Sequence, residues 1–241
     1  MDNVTVDLDK PSLYAEKDTK LHRIKRKMTY KNIFKLLNYF VPSSGEFSIL
    51  EIGTGSGYFL TTLENTFPKA TIYGLEYDPR LVSLSTEKIK EAVVLQGNAE
   101  NFDLEYKNFD FIVSFQVIEH LYQPDKMIES VKKHLSDEGI FILTTPNLGS
   151  LASLVLKDKW HGFRDDHVSL KDSMGWKLFL EENGFECLKM QTTFFTGFPI
   201  FNKLPFGIIN WCLLYFYGSI SWKYGESVVG VFKQIKVNEA K

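Results

Sequence analysis

Residues 50–57 read Leu-Glu-Ile-Gly-Thr-Gly-Ser-Gly. The apolar positions leading into them (Phe47, Ile49, Leu50, Ile52) have the character of a buried parallel strand, and residues 58–66 that of a helix. Glycines at such a strand-to-helix turn allow positive φ and let backbone approach a ligand with no Cβ in the way. In open α/β sheets, ligands sit at this place, beyond the carboxyl end of the first strand. The spacing restricts the ligand further. A dinucleotide fingerprint needs G-x-G-x-x-G, with its third glycine opening the helix to a pyrophosphate. Here Tyr58 holds that position, the third glycine (Gly57) comes one residue early, and Glu51 adds a carboxylate before the loop. A cationic cofactor without phosphate suits these features.

Working outward, apolar and polar patterns alternate between strand and helix periods. Strands are expected at 47–52, 70–76, 92–96, 109–115, 139–145, 185–193 and 227–236. Helices are expected at 17–40, 57–66, 79–90, 124–135 and 170–183, the last closing on Asn183-Gly184. Residues 1–15 read as poorly ordered. Strands alternating with helices imply right-handed crossovers and a mostly parallel sheet, an α/β doubly wound fold.

A chain of 241 residues with 44% apolar and 24% charged residues builds one α/β domain with insertions. Its net charge of −2 gives no reason to expect nucleic acid as partner. Cys187 and Cys212 match neither a metal-ligand spacing nor a disulfide framework, which fits a reducing compartment. The polar start, Met1 to Asp9, lacks a signal-peptide core, so a cytoplasmic location is expected.

A carboxylate at the tip of the second strand, roughly 20 residues past the glycines, is placed to accept hydrogen bonds from a ribose. Glu76 has that position; Asp78, followed by Pro79, reads better as a helix start. After the third strand, Asn98 offers an amide oxygen to an exocyclic amine and Ala99 leaves room for a ring face. Gly97-Asn98 is also simply a turn.

Six blocks in order carry a resemblance: Glu51-Ile-Gly-Thr-Gly-Ser-Gly57, Gly74-Leu-Glu76, Gly97-Asn-Ala-Glu100, Phe109-Asp-Phe-Ile-Val-Ser114, Val117-Ile-Glu-His120 and Leu143-Thr-Thr-Pro-Asn147. Together they resemble the class I S-adenosylmethionine-dependent methyltransferases, especially the small-molecule group related to the ubiquinone-biosynthesis O-methyltransferases. The resemblance runs from about residue 30 to 193 and recurs in Gly225-Glu-Ser-Val-Val-Gly-Val-Phe232. It implies a Rossmann-like, doubly wound, seven-stranded sheet, mostly parallel with the last strand antiparallel. It also implies S-adenosyl-L-methionine as cofactor. Glu51, Gly53, Gly55, Gly57, Glu76, Asn98, Ala99 and Gln116 form the expected cofactor site. The expected division is an N-terminal basic helical segment, 1–40, and a methyltransferase domain, 41–241. The family more often has Asp where this chain has Asn98.

Methyl transfer needs chiefly alignment of a nucleophile, with a base only for a poorly ionised hydroxyl. Its place is the carboxyl ends of the fourth and fifth strands, near Ser114, Gln116, Glu119 and His120. His120 is one candidate base. Relatives acting on quinone precursors carry Glu-x-x-Glu-His, but Gln116 replaces the first acid here, and no metal is expected. Lys159-Trp-His-Gly-Phe-Arg-Asp-Asp-His-Val168 supplies the second candidate base, His167: Asp166-His167 could form an oriented general base or equally dock the helix starting near Leu170. Arg164 could meet an anionic substrate or stand in solvent.

Residues 194–225, inserted before the last strand, are the most aromatic of the chain, and 17–35 are strongly basic. The insertion is too short and too interrupted for a confident membrane span. A substrate lid, a dimer face or peripheral membrane contact each needs such a composition. The expected activity is methyl transfer, most simply to oxygen, on a small molecule, sugar or lipid-linked precursor. The alternative is a non-catalytic S-adenosylmethionine-binding protein acting through its insertion. A nicotinamide-dependent oxidoreductase is opposed by Tyr58. Nucleic-acid methylation is opposed by the missing Asn-Pro-Pro-Tyr-type motif and basic domain.

Overall fold

The computed structural model describes residues 20–42, 44, 46–194, 197–203 and 205–235, with the backbone alone for 20–29 and 202. The expectations for 1–15, for Lys17 and for residue 236 lie outside the described residues, as do the side chains of Lys20, Arg23, Lys25, Arg26 and Lys27.

The chain begins with α1 (Lys20–Phe40), then β1 (Ser48–Ile52), α2 (Tyr58–Thr66), β2 (Thr71–Glu76), α3 (Pro79–Thr86) and β3 (Val93–Gln96). The second half holds β4 (Phe109–Phe115), α4 (Pro124–His134), β5 (Leu135–Pro146), α5 (Leu151–Leu156), α6 (Ser173–Glu182) and β6 (Phe185–Thr193). The insertion folds as α7 (Gly207–Phe216) and β7 (Ser219–Ile220), and β8 (Ser227–Gln234) ends the sheet. Strand order is β3-β2-β1-β4-β5-β8-β6-β7. β8 pairs antiparallel with both β5 and β6, as expected of the last strand. The sheet has eight strands rather than seven, because the two-residue β7 of the insertion adds to the edge of β6.

Strand alternation divides the core between the two faces of the sheet. Leu50 and Ile52 of β1 join Ile112, Phe141 and Leu143 under α4 and α6, through Met127, Val131, Trp176 and Leu180. Phe47 and Ile49 join Val113, Ile140 and Ile142 under α1 and α2, through Ile33, Leu37, Phe59 and Leu63. Helices on both faces of a mostly parallel sheet make the doubly wound arrangement, whose strand order reverses between β1 and β4.

Helix α3 stops earlier than expected, at Thr86. The Glu64 carboxylate takes up the N–H groups of Lys90, Glu91 and Ala92 at 2.7–3.1 Å, which turns the chain into β3 instead. Helix α6 does close at Asn183-Gly184, with Gly184 at φ +86°.

Candidate functional site

At the end of β1 the chain turns sharply. Gly53, Gly55 and Gly57 have φ of +78°, +52° and +76°. Gly53 and Thr54 donate to Leu75 O at 2.8 and 3.3 Å, which clips the loop to β2. A Cβ on Gly53 would strike Val117, and one on Gly57 would lie 2.8 Å from Ser85. A Cβ on Gly55 would meet nothing within 4 Å. Protein therefore packs behind the first and third glycines, and the second faces open space.

Two buried carboxylates, Glu76 and Glu51, are coupled electrostatically at this turn. Glu76 ends β2 and turns inward: its Oε2 accepts the Gly55 N–H at 2.8 Å, and its Oε1 accepts Tyr77 and Asp78 N–H at 2.9 and 3.0 Å. Burial raises its pKa despite those three donors. Glu51 is 3% exposed, and its Oε2 has no hydrogen-bond partner. Burial, and then the charge of Glu76, hold its pKa well above the usual carboxylate range. A buried acceptor without a donor is costly, and a cationic or hydrogen-bond-donating ligand would relieve it. These residues could hold a cationic ligand that also carries hydroxyl groups.

Asp78 caps α3 instead. It accepts from Arg80 N at 2.9 Å and grips the Arg80 guanidinium through both oxygens. Asn98 is exposed and its Oδ1 accepts from Glu100 N at 2.9 Å, so the turn that Gly97-Asn98 suggests is formed. Ala99 packs half-buried against the core. Gln116 follows β4 at φ +54° and donates its N–H to Thr144 O at 2.9 Å, exposing its side chain at the same rim.

Further along that rim, a short 3₁₀ turn (Ile118–His120) sets Glu119 inward and His120 outward. Glu119 is 1% exposed; Thr145 donates to its Oε2 at 3.1 Å, and its Oε1 has no partner. Burial pushes its pKa to about 8. His120 and His167 lie edge to face, ring centroids 4.7 Å apart. The two motifs that carry the candidate bases are thus brought together. His120 Nδ1 is 2.9 Å from Asp166 O, and His167 Nδ1 is 2.8 Å from Gly162 O. A ring nitrogen facing a carbonyl must carry the proton, so each neutral ring keeps its lone pair on Nε2. Burial lowers the pKa of both rings, which favours that neutral state. Among the described residues, Glu119, His120 and His167 are the one set spaced to hold a metal ion, their ligand atoms within 4.8 Å of one another.

Asp166 acts on both rings, its charge raising the pKa of His120 and of His167 against the effect of burial. Asp166 Oδ2 lies 3.4 Å from His120 Nδ1, and Arg164 binds both oxygens of Asp166 at 2.9 Å. Arg164 is therefore committed to a neighbouring carboxylate rather than left for substrate.

Sequence reasoning missed Glu226. It is 5% exposed, accepts from the Trp160 indole N–H, and lies 3.3 Å from His161 Nε2. Nothing but its place, an acid at the head of the apolar run Ser227–Gln234, hinted at burial. Asn147 ties this corner down: its Nδ2 donates to Lys223 O and Gly225 O at 2.8 and 2.7 Å.

Comparison with known proteins adds a family. A family model described as a methyltransferase domain matches residues 22–190. The malonyl-[acyl-carrier protein] O-methyltransferase of Paenibacillus sp. (strain JDR-2) is 27% identical over 156 residues, 59% of this chain and 56% of that one. The enzyme of the same name from Bacillus anthracis is 26% identical over 124 residues, 51% of this chain and 45% of that one. The matches span 45–56% of the length of these two curated relatives. Among solved structures, the plantazolicin methyltransferase BpumL, in complex with a triazolic desmethylPZN analog and SAH, superposes with a TM-score of 0.62. It has 18% identity, over 92% of this chain and 88% of that one.

Proposed function

The chain belongs to the class I S-adenosylmethionine-dependent methyltransferases, and from that premise we propose that it methylates an oxygen of a small-molecule or lipid-linked acceptor. S-adenosylmethionine, when bound, supplies a methyl group already activated on a sulfonium. The observation that carries the cofactor assignment is the partnerless Oε2 of buried Glu51, which feels the charge of Glu76, the carboxylate that holds the open-sided Gly55. In this reading Glu51, Gly53, Gly55 and Gly57 hold the methionine part and Glu76 the ribose. Asn98 and Ala99 border the adenine, and Gln116 closes the rim.

The chain's own task is then to orient the acceptor and accept its proton. His167 and His120 each keep an Nε2 lone pair and are neutral through burial, as a base working near neutral pH must be. Glu119, protonated at neutral pH, adds no negative charge beside them. The O-methyltransferase names of the relatives support oxygen as the methylated atom. The net charge of −2 supports a small acceptor over a nucleic acid.

One observation favours a lipid-linked acceptor. Helix α7 leaves Ile208, Ile209, Phe216 and the adjoining Tyr217 exposed, and Lys31 of α1 lies 4.0 Å over the Tyr215 ring beside them. A basic helix against an aromatic one suits an anionic membrane surface. Among the described residues, no helix is long and apolar enough to cross a membrane. The proposed division, a basic helical segment over 1–40 and a methyltransferase domain over 41–241 with its insertion at 194–225, belongs to this reading. Ile33, Leu36 and Leu37 bury the helix against the catalytic sheet.

The test is incubation of purified protein with isotope-labelled S-adenosylmethionine and cell extract, followed by mass spectrometry of metabolites that gain a methyl group. Label arriving on a hydroxyl supports the proposal. Label on nitrogen or carbon overturns the oxygen assignment, and binding without any transfer overturns the catalytic roles.

A further inference from the structure

A second site lies between α5, the insertion and the start of β8, at the carboxyl end of β5. It is a cavity of about 110 Å³, partly open to solvent, lined by Leu151, Phe194, Phe198, Leu213 and Trp222, with Glu226 contributing to its wall. Its volume is on the order of the ~150 Å³ void that accommodates a benzene ring. The walls are almost wholly apolar, so a ring or similar apolar group gains by leaving water for it. The Glu226 carboxyl is the exception. It is already braced by the Trp160 indole N–H and the Gly197 backbone N–H, and stands 3.3 Å from His161 Nε2.

We propose that this cavity binds a ring-sized apolar group bearing a hydroxyl, with the Glu226 carboxyl accepting the hydroxyl's hydrogen bond. The reasoning is chemical. A ligand wholly without donors would waste the one polar wall, while a hydroxyl adds a further donor to a carboxylate whose two oxygens offer about four lone-pair sites. Burial also pushes the Glu226 pKa upward, which weakens its match to an ammonium and leaves a neutral donor as the better partner.

The position connects the cavity to the methyl-transfer rim. Asn147, next after β5, fixes the cavity's edge: its N–H donates to Glu226 O at 3.0 Å, and Leu151 N–H donates to Tyr224 O at 3.0 Å. Residues Trp160 and His161 reach Glu226, while His167 of the same segment meets His120. One short segment thus joins the cavity to the proposed bases. As the place where the acceptor's apolar part lodges, the site rests on the function proposed above; as a ligand site it stands without it.

The probe is 4-ethylphenol, with ethylbenzene as the isostere that lacks the hydroxyl, titrated calorimetrically into the full chain. Parallel titrations use S-adenosylhomocysteine. The unmodified chain should bind 4-ethylphenol at least about tenfold more tightly than ethylbenzene. Glu226→Gln, which keeps shape but loses the carboxylate, should reduce that preference severalfold. Leu213→Trp, which fills the cavity from α7, should weaken both probes about tenfold or more and leave S-adenosylhomocysteine affinity unchanged. Equal affinity for the two probes, or 4-ethylphenol binding untouched by Leu213→Trp, overturns the proposal. Normal 4-ethylphenol binding with no S-adenosylhomocysteine binding would support the cavity and strike instead at the cofactor assignment.

Discussion

Glu76 Oε2 accepts the backbone N–H of Gly55 at 2.8 Å, across 21 residues of sequence. The carboxylate proposed to read the ribose is therefore also the strut of the glycine loop. Glu76→Ala removes the acceptor for three N–H groups and should cost about 1–3 kcal/mol of stability. Cofactor affinity should fall by at least about tenfold, since a charge-assisted hydrogen bond contributes roughly 1.5–3 kcal/mol. Calorimetric titration with S-adenosylhomocysteine beside a thermal melt reads both. Affinity equal to that of the unmodified chain would remove Glu76 from the site.

Removing either histidine should separate binding from chemistry. His120→Ala and His167→Ala each take away one Nε2, and the loss of a general base lowers kcat by about 10²–10⁴. S-adenosylhomocysteine affinity should stay within about twofold. Because burial lowers the pKa of both rings, the rate of the unmodified protein should hold as pH falls through 6.5 and decline only below it. A decline already centred above 6.5 would contradict the neutral, buried imidazoles.

Glu119 gives a stability signature of its own. Its pKa is about 8 when folded and returns toward the ordinary 4.5 when the chain unfolds. Between those values the folded protein holds a proton that the unfolded chain has released. Stability from this group is therefore complete below about pH 4.5 and is lost as pH rises toward 8. The slope is about 1.4 kcal/mol per pH unit for one proton. The lowered histidines act with the opposite sign, losing stability as pH falls through their folded pKa values, and only below 6.5. Glu119→Gln cannot ionise, so its Tm should change less between about pH 7 and pH 8.5 than that of the unmodified chain. Equal changes would mean that Glu119 is already ionised when folded.

The insertion can be tested at a membrane. If α7 lies on an anionic surface, replacing Ile208, Phe216 and Tyr217 with serine should reduce flotation with phosphatidylserine vesicles several-fold. Recovery of the unmodified chain in the soluble fraction would leave the exposed face of α7 without a lipid role.

The parts of this molecule visible in its sequence are those fixed by short-range rules. An apolar run followed by three spaced glycines specifies a strand, a left-handed turn and a helix, because few other residues tolerate φ of +52° to +78°. Glu76 was visible because strand length sets its distance from that turn. Helix α7 gives no such signal: Ile-Ile-Asn-Trp-Cys-Leu-Leu-Tyr-Phe is apolar on nearly every side, so no period distinguishes it. Helix α5 has only six residues and is started by the Ser150 side chain bonding Ser153 N–H, a weak signal within a connection. His120 and His167 were each visible as candidate bases. Their meeting was not, because Asp166 and its backbone reach His120 across 46 residues. Glu226 is the extreme case, since its role depends on Trp160, 66 residues away.

The glycine loop permits a comparison in which two similar substitutions should fail differently. Gly53 and Gly55 both have positive φ, and alanine at either costs on the order of 1 kcal/mol in backbone strain. At Gly53 the added methyl also collides with Val117, a partly buried residue packed against the core. Overpacking there adds typically about 1–3 kcal/mol. At Gly55 the methyl enters open space, so the strain is the whole cost to the fold. That open space is where the cofactor is proposed to lie, and the methyl then competes with ligand rather than with protein. Gly55→Ala should therefore melt within a few degrees of the unmodified chain while losing at least about tenfold in S-adenosylhomocysteine affinity, and Gly55→Val should lose more. Gly53→Ala should show the larger drop in Tm. Should Gly55→Val bind S-adenosylhomocysteine normally, the open side of the loop would not be the cofactor's place, and Glu51 would need another partner for its buried oxygen.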